Sequence, residues 1–188
     1  MMRIGLGIDA HAFAPADARR HLVLGGVQVP YERGLAGHSD ADVLTHAIAD
    51  AVLGALRAGD IGKHFPDTDP VYKDVVSLTL LRQVGELAQA QGFTVKDVDS
   101  VIIAQEPKLA PYREEMRANL AAALGISVEQ VGVKATTTEW LGFEGRREGI
   151  SAHAVALLEK TEQTGGRELR GAISTPEVAL VERSEQAG

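Results

Sequence analysis

Asp9 and His11 stand two residues apart in the run RIGLGIDAH. On an extended strand, residues two apart share a face, so this carboxylate and imidazole would converge. Further on, Asp42, His46 and Asp50 have the i, i+4, i+8 spacing of one helix face. Joined, Asp9, His11 and His46 offer one oxygen and two nitrogens, and three protein ligands with an open fourth position are what a catalytic zinc uses. Asp42 or Asp50 would then orient His46 through its other ring nitrogen. The same residues also read as a solvated helix stripe beside an isolated Asp-x-His pair, and residue types alone leave both readings open. A second candidate is KATTTE, residues 134–139. Its three hydroxyls and strand-end N–H groups suit phosphate oxygens. The carboxylate after them could hold Mg²⁺. An ordinary Thr-rich strand would look the same. Arg146 and Arg147 add anion contacts in the loop that follows.

Composition narrows the setting for this chemistry. The chain has 188 residues, 45% of them apolar and 24% charged, with a formal charge of −7. That suits one soluble globular domain with its own core. An acidic balance argues against a nucleic-acid module, which needs a basic face. Without cysteine there is no disulfide framework, thiol nucleophile or thiolate zinc site. No signal-peptide pattern opens the chain, and no apolar run is long enough to span a membrane, so a cytoplasmic location is expected. Five of the six histidines and eight of the eleven aspartates fall in the first 69 residues, against one of fifteen glutamates. Short Asp side chains beside His suit tightly placed cation ligands, yet Asp is also a turn and N-cap residue. No Walker A pattern is present, and Gly5-Leu6-Gly7 lies inside a strand pattern, which rejects a P-loop or dinucleotide fold.

The elements that must position these groups follow from periodicity. Residues 3–9 read as a strand, and HLVLGGVQVP, 21–30, as a hairpin around Gly25-Gly26. Val43, Leu44, Ala47, Ile48, Ala51, Val52 and Ala55 give one apolar helix face, with Ser39 or Asp40 placed to cap it. A second helix is expected from about Val75 to Gln91, with Leu78, Leu81, Val84, Leu87 and Ala88 inward. A third should begin at Pro111 and end at Gly125, burying Met116, Leu120, Ala123 and Leu124. Strands are expected at 98–105, 131–138 and 150–160. The irregular alternation predicts an α+β domain over residues 1–160, a mixed sheet with helices packed on one face plus an N-terminal β-hairpin. Residues 161–188 are polar and Gly-containing, and read as a C-terminal extension of unknown role.

DAH at 9–11, GLAGHSDADVLTHAIADAVLGA at 34–55, GDIGKHFPDTDP at 59–70, IIAQEPKLAPY at 102–112 and VKATTTEWLGFEGRREGI at 133–150 closely resemble one family. It is the 2-C-methyl-D-erythritol 2,4-cyclodiphosphate synthase family of the non-mevalonate isoprenoid pathway, and the motifs keep its order over residues 2–160. The resemblance implies a homotrimer with active sites between protomers and one Zn²⁺ per site on Asp9, His11 and His46. It further implies Mg²⁺ or Mn²⁺ on Glu139, bridging the substrate's diphosphate. His38 and Thr137 match the positions that stabilise the transition state, and Ser39 accompanies His38 at the phosphates. Asp60 and Gly62 match those holding the methylerythritol hydroxyls, and Phe65, Pro66, Asp67, Thr68 and Asp69 the loop closing over them. Ala104, Gln105, Glu106, Pro107, Lys108, Leu109 and Ala110, with Thr136, Thr137, Thr138 and Glu139, match the cytidine and diphosphate side. Phe143 and Arg146 match positions near the threefold axis, where an isoprenoid diphosphate would sit in a central cavity. Ala41 stands where the family often has Gly, Ile8 where Phe is common, and Trp140 where Lys is frequent.

The residue types agree with the implied reaction, in which a substrate phosphate attacks the β-phosphorus and expels CMP. A phosphate nucleophile is already ionised, so no Ser–His–Asp or Cys–His arrangement is needed. Two anionic groups must instead be held together, the work of cations and positioned donors. Two other readings predict different behaviour. A metal-dependent phosphodiesterase would use water as the nucleophile. A non-enzymatic trimer carrying an isoprenoid diphosphate would depend on Phe143 and Arg146 and be indifferent to His46.

Overall fold

The first strand, β1 (Met2–Ala12), alternates strictly: Gly5 and Gly7 are buried and Asp9 and His11 partly so, while Ile4, Leu6 and Ile8 are exposed. In the computed structural model, which describes residues 1–66, 68–72 and 75–161, β1 is the edge of a four-stranded sheet. Asp67, Lys73, Asp74 and all of the expected extension except Thr161 lie outside the described residues. The other strands are β4 (Phe93–Ile103), β5 (Val131–Thr136) and β6 (Gly149–Lys160), in the order β1-β6-β4-β5. β6 is antiparallel to β1 and to β4, and β4 is parallel to β5. The C-terminal ends of β1, β4 and β5 therefore point the same way. The pairs Ala12–Gly149, Ile103–Ser151 and Ile103–Thr136 bring those ends to one level.

All the long helices cover one face of this sheet. α1 (Val43–Leu56) lies across β1 and β6, and α3 (Ser77–Ala90) and α4 (Arg113–Leu124) lie over β4 and β5. The expected apolar face of α1 is buried, and so are Thr45, Ala49, Leu53 and Leu56, because neighbours close on the helix from several sides. Its approach to β1 is very close. A Cβ built on Gly5 would stand 1.9 Å from the Ala51 carbonyl oxygen, and one on Gly7 1.9 Å from that of Ala47. Only a residue without a side chain permits that separation.

The hairpin forms as expected from β2 (Leu22–Leu24) and β3 (Val27–Val29). Gly25 and Gly26 take φ of 56° and 70°, the left-handed pair a two-residue hairpin turn requires. Its turn is held by Asp42, which is fully buried. The Asp42 carboxylate accepts from the N–H groups of Gly25 (2.8 Å), Gly26 (2.7 Å) and Thr45 (3.0 Å), and from the Thr45 hydroxyl (2.7 Å). Asp42, not Ser39 or Asp40, is thus the N-cap of α1. One carboxylate satisfies a helix end and a turn at once.

Other boundaries shift for local reasons. β4 starts at Phe93 rather than 98, because an irregularity between Val95 and Asp97 leaves Lys96 and Asp97 both exposed and breaks the alternation. β5 stops at Thr136, so Thr137 and Thr138 belong to the loop. Pro111 sits in a 3₁₀ turn, Ala110–Tyr112, and α4 starts only at Arg113. Two single-turn helices, α2 (Ile61–His64) and α5 (Gly142–Gly145), fall where only loops were expected. Among the described residues no helix is long and apolar enough to cross a membrane.

Gly7→Ala is expected to destabilise the protein by about 3 kcal/mol or more, since the new methyl meets helix backbone rather than a flexible side chain. The midpoint of denaturant unfolding measures this, and a wild-type midpoint would contradict the packing described.

Candidate metal centre and second cavity

His46 precedes Ala47, the residue whose carbonyl faces Gly7, so the close packing of α1 on β1 carries the His46 ring to the end of the strand. There its Nδ1 lies 3.0 Å from Asp9 Oδ2 and 3.3 Å from His11 Nε2. His11 Nε2 is in turn 3.0 Å from Asp9 Oδ2. Asp9, His11 and His46 form the one cluster of metal-capable side chains among the described residues, with a donor atom from each within 4.8 Å of the others. Two imidazole nitrogens and one carboxylate oxygen on one side of a partly open cavity fit a borderline divalent cation with a free coordination position. The far side of the His11 ring is fixed as well: Nδ1 faces the Ala36 carbonyl at 2.8 Å. A carbonyl can only accept, so Nδ1 carries a proton in either charge state; Nε2 donates to Asp9 when the ring is protonated and is the nitrogen freed for a cation when that proton leaves.

Charges in the triad support one another. Burial opposes the Asp9 charge, but hydrogen bonds from His11 and His46 outweigh it and hold the carboxyl far below the usual range. Burial likewise favours a neutral His11, yet the hydrogen bond and charge of Asp9 outweigh it and raise the ring's pKa. Neither Asp42 nor Asp50 makes the expected hydrogen bond to His46. Asp42 is committed to the helix cap and hairpin. Asp50 accepts from the Ile61 N–H at 2.7 Å, bracing α2 against α1. Burial, with the nearby charges of Asp60 and Asp9, pushes the Asp50 carboxyl up against that hydrogen bond.

A cavity of about 380 Å³ opens beside the triad, lined by His11, His38, Ser39, His46, Gly62 and Phe65 among others. His38 is exposed at its rim. Ser39 is buried, its hydroxyl accepting from the Ala41 N–H at 3.1 Å and lying 3.3 Å from His46 Nε2. Arg20, which the sequence did not single out, braces this loop by donating to the Ser39 carbonyl. Ala41 takes φ of 57°, which explains why a glycine is at home in that position. Asp60 caps α2, accepting from the Lys63 N–H at 2.9 Å. Phe65 packs edge-on against Tyr72, ring centres 5.4 Å apart, so Tyr72 also walls the cavity. Pro66 follows half-buried, Thr68 and Asp69 are exposed, and Asp67 lies outside the described residues.

The second group of expected residues gathers at the far edge of the sheet. A cavity of about 270 Å³ is lined by Ala104, Gln105, Pro107, Lys108, Leu109 and Ala110, with Arg113 and Ala135–Thr137 closing it. Ala104 N–H donates to the Thr136 carbonyl at 3.0 Å, tying the two segments together. Glu106 is turned outward to Arg147 at 3.1 Å. Thr138 bonds the Leu141 carbonyl, and Thr137 donates to Glu139 Oε1 at 2.8 Å. Phe143 is exposed, and Arg146 makes a two-pronged pair with Glu148 at 2.8 and 2.9 Å. Hydrogen bonding to Glu148 raises the Arg146 pKa, and Arg146 lowers that of Glu148.

The two cavities are not continuous within one chain. β6 and β4 lie between β1 and β5, so at the usual interstrand spacing the edge strands are about 14 Å apart.

The model of a family described as the YgbB family matches residues 2–159. A protein of Syntrophotalea carbinolica named 2-C-methyl-D-erythritol 2,4-cyclodiphosphate synthase is 60% identical over 160 residues, 85% of this chain and 96% of that protein. The structure titled IspF CDP complex, from Plasmodium falciparum, superposes with a TM-score of 0.74 at 34% identity, over 85% of this chain and 97% of that one. The bifunctional IspDF of Campylobacter jejuni gives a TM-score of 0.80 at 41% identity over 85% of this chain; the chain spans 42% of that longer protein.

The raised His11 pKa sets the pH dependence of metal binding. A cation must displace the His11 proton, so affinity is highest above that pKa and falls as pH drops through it, by about tenfold per unit below. Titrating the metal-free protein with Zn²⁺ from about pH 8 to about pH 6 checks this; a flat profile would contradict it.

Proposed function

The chain belongs to the YgbB family, and on that premise we propose that it converts 4-diphosphocytidyl-2-C-methyl-D-erythritol 2-phosphate to 2-C-methyl-D-erythritol 2,4-cyclodiphosphate and CMP in the non-mevalonate isoprenoid pathway. The observation that carries the reading is the convergence of Asp9, His11 and His46 beside the His38 rim, in a chain 60% identical to a named synthase of that reaction. In this reading residues 1–160 are the catalytic domain, and 161–188 a C-terminal extension of unknown role.

In this reading Asp9, His11 and His46 hold Zn²⁺, and Glu139 holds Mg²⁺ or Mn²⁺ at the diphosphate. Bound cations supply positive charge that offsets the repulsion between the substrate's phosphates. The chain's own residues do the rest. Ala104 to Ala110 and Thr136 to Glu139 seat the cytidine and diphosphate end, a role supported by the cavity that the first group, Glu106 apart, lines with Thr136 and Thr137. Asp60 and Gly62 orient the methylerythritol hydroxyls, with Phe65 to Asp69 closing over them. An oxygen of the 2-phosphate forms a bond to the β-phosphorus while the bond to the oxygen leaving with CMP breaks. CMP departs with that electron pair, and no water is consumed. His38, Ser39 and Thr137 stabilise the phosphoryl oxygens as charge shifts. Because both reacting groups belong to one molecule, holding them in line supplies much of the rate.

The separation of the two cavities supports a site completed by a second protomer. Ile4, Leu6 and Ile8 are 65%, 62% and 53% exposed on the uncovered face of β1, beside Val155 on β6. A strip of that kind is characteristic of an interface. We assign it to the contact of a homotrimer, with Phe143 and Arg146 near the axis and room there for an isoprenoid diphosphate.

CMP release from the diphosphocytidyl substrate, with Mg²⁺ present, tests the reaction. The expected result is CMP with the cyclic diphosphate in equal amount, falling at least about 10³-fold in His46→Ala and on zinc chelation. CMP formed with a linear, hydrolysed co-product would instead favour a water-using phosphodiesterase. For the assembly, light scattering should give about three times 20.0 kDa. Leu6→Glu, by burying a charge in each contact, should yield a folded but inactive monomer. A Leu6→Glu trimer with normal activity would refute the interface.

A further inference from the structure

Ser77 is the first residue of α3 and is fully buried, yet its hydroxyl does nothing for the helix, whose N-cap residue, Val76, has no capping side chain. It is spent on His46: Ser77 Oγ lies 2.9 Å from His46 Nε2, the ring nitrogen turned away from Asp9 and His11. Asp40 holds Ser77 from behind. Its carboxylate accepts from the Ser77 N–H at 3.0 Å and from the Ser77 hydroxyl. Asp40 is itself tied to the chain preceding α3, its N–H donating to the Val75 carbonyl at 3.3 Å.

The protons in this chain of contacts can be assigned. A serine hydroxyl has one hydrogen to give. Here it goes to Asp40, so the Ser77 oxygen faces His46 Nε2 as an acceptor. Nε2 must then carry a proton, so the nitrogen that a cation would take, by displacing the hydrogen bond to Asp9, is Nδ1, the atom 3.0 Å from Asp9 Oδ2. Ser39 Oγ, at 3.3 Å, is a longer and poorer partner whose oxygen already accepts from the Ala41 N–H.

We propose that Ser77, held by Asp40, is the positioning residue that fixes the tautomer and ring orientation of His46 as a metal ligand. It plays for His46 the part the Ala36 carbonyl plays for His11. The inference rests on the proposed metal site and extends it to residues outside the ligand set. Such outer partners commonly alter metal affinity by about 10- to 100-fold.

The test is the Zn²⁺ dissociation constant of the full-length protein, stripped of metal and titrated against a chromogenic chelator, for wild type, Ser77→Ala, Ser77→Thr and His46→Ala. Ser77→Ala should bind Zn²⁺ about 10- to 100-fold more weakly, with thermal unfolding of the metal-free form little changed. Ser77→Thr, which keeps the hydroxyl, should restore affinity to within about threefold. Wild-type affinity in Ser77→Ala, or equal weakening in the Ala and Thr variants, would overturn the proposal. The metal site itself would fail differently, by His46→Ala binding Zn²⁺ as tightly as wild type.

Discussion

With Cβ positions at Gly5 and Gly7 falling 1.9 Å from carbonyl oxygens of α1, helix and strand can approach only because two alternate residues of β1 lack side chains. Everything at the candidate metal centre depends on that approach. It lowers α1 until His46, the residue before Ala47, reaches the level of Asp9 and His11. Those two continue the same face of the strand on which the glycines lie. The period of two that buries Gly5 and Gly7 is thus also the period that aims the two ligands, and a one-residue slip would lose both. The ligand cluster then gains a stake in the packing, since Asp9 sits between two imidazoles whose hydrogen bonds outweigh the cost of burying its charge.

An acidic chain that handles a polyanion must confine its negative charge. The aspartates of the first 69 residues do so by being occupied. Asp42 caps α1 and the hairpin turn, Asp40 grips Ser77, Asp50 braces α2, Asp60 caps it, and Asp69 accepts from the Val71 N–H at 3.0 Å. Of those with partners among the described residues, Asp9 alone joins the ligand cluster. Enrichment of Asp over Glu in this stretch therefore reflects both readings of its composition. One carboxylate faces the metal position and most of the others hold backbone N–H groups, a task for which the short side chain is better suited. In the proposed reaction, positive charge at the centre would come from bound cations.

Legibility followed the range of each interaction. The convergence of Asp9, His11 and His46 could be read because a two-residue spacing on a strand and a recurrent helix face both project to geometry. The hairpin could be read because Gly25-Gly26 names its own turn. The cap of α1 was misassigned to Ser39 or Asp40 because the choice among three polar residues depends on where the hairpin packs, and that is a long-range fact. The start of β4 was hidden by the irregularity at Lys96. Ser77 left no signal, since a lone serine at a helix start is ordinary until His46 is found 2.9 Å away. The gathering of residues 104–110 with 136–139 was carried by family resemblance, because parallel pairing of β4 with β5 has no local signature. The exposed Ile4, Leu6 and Ile8 were legible only as alternation, which does not say which face meets solvent.

The proposed chemistry depends on a cation held by Asp9, His11 and His46. X-ray absorption at the zinc edge of the metal-loaded, substrate-free protein tests it most directly. The predicted spectrum shows two imidazoles and oxygen donors at about 2.0–2.2 Å in four-fold coordination, and loses one imidazole in His46→Ala. A six-coordinate ion with only oxygen neighbours, unchanged by that substitution, would contradict the account at its base.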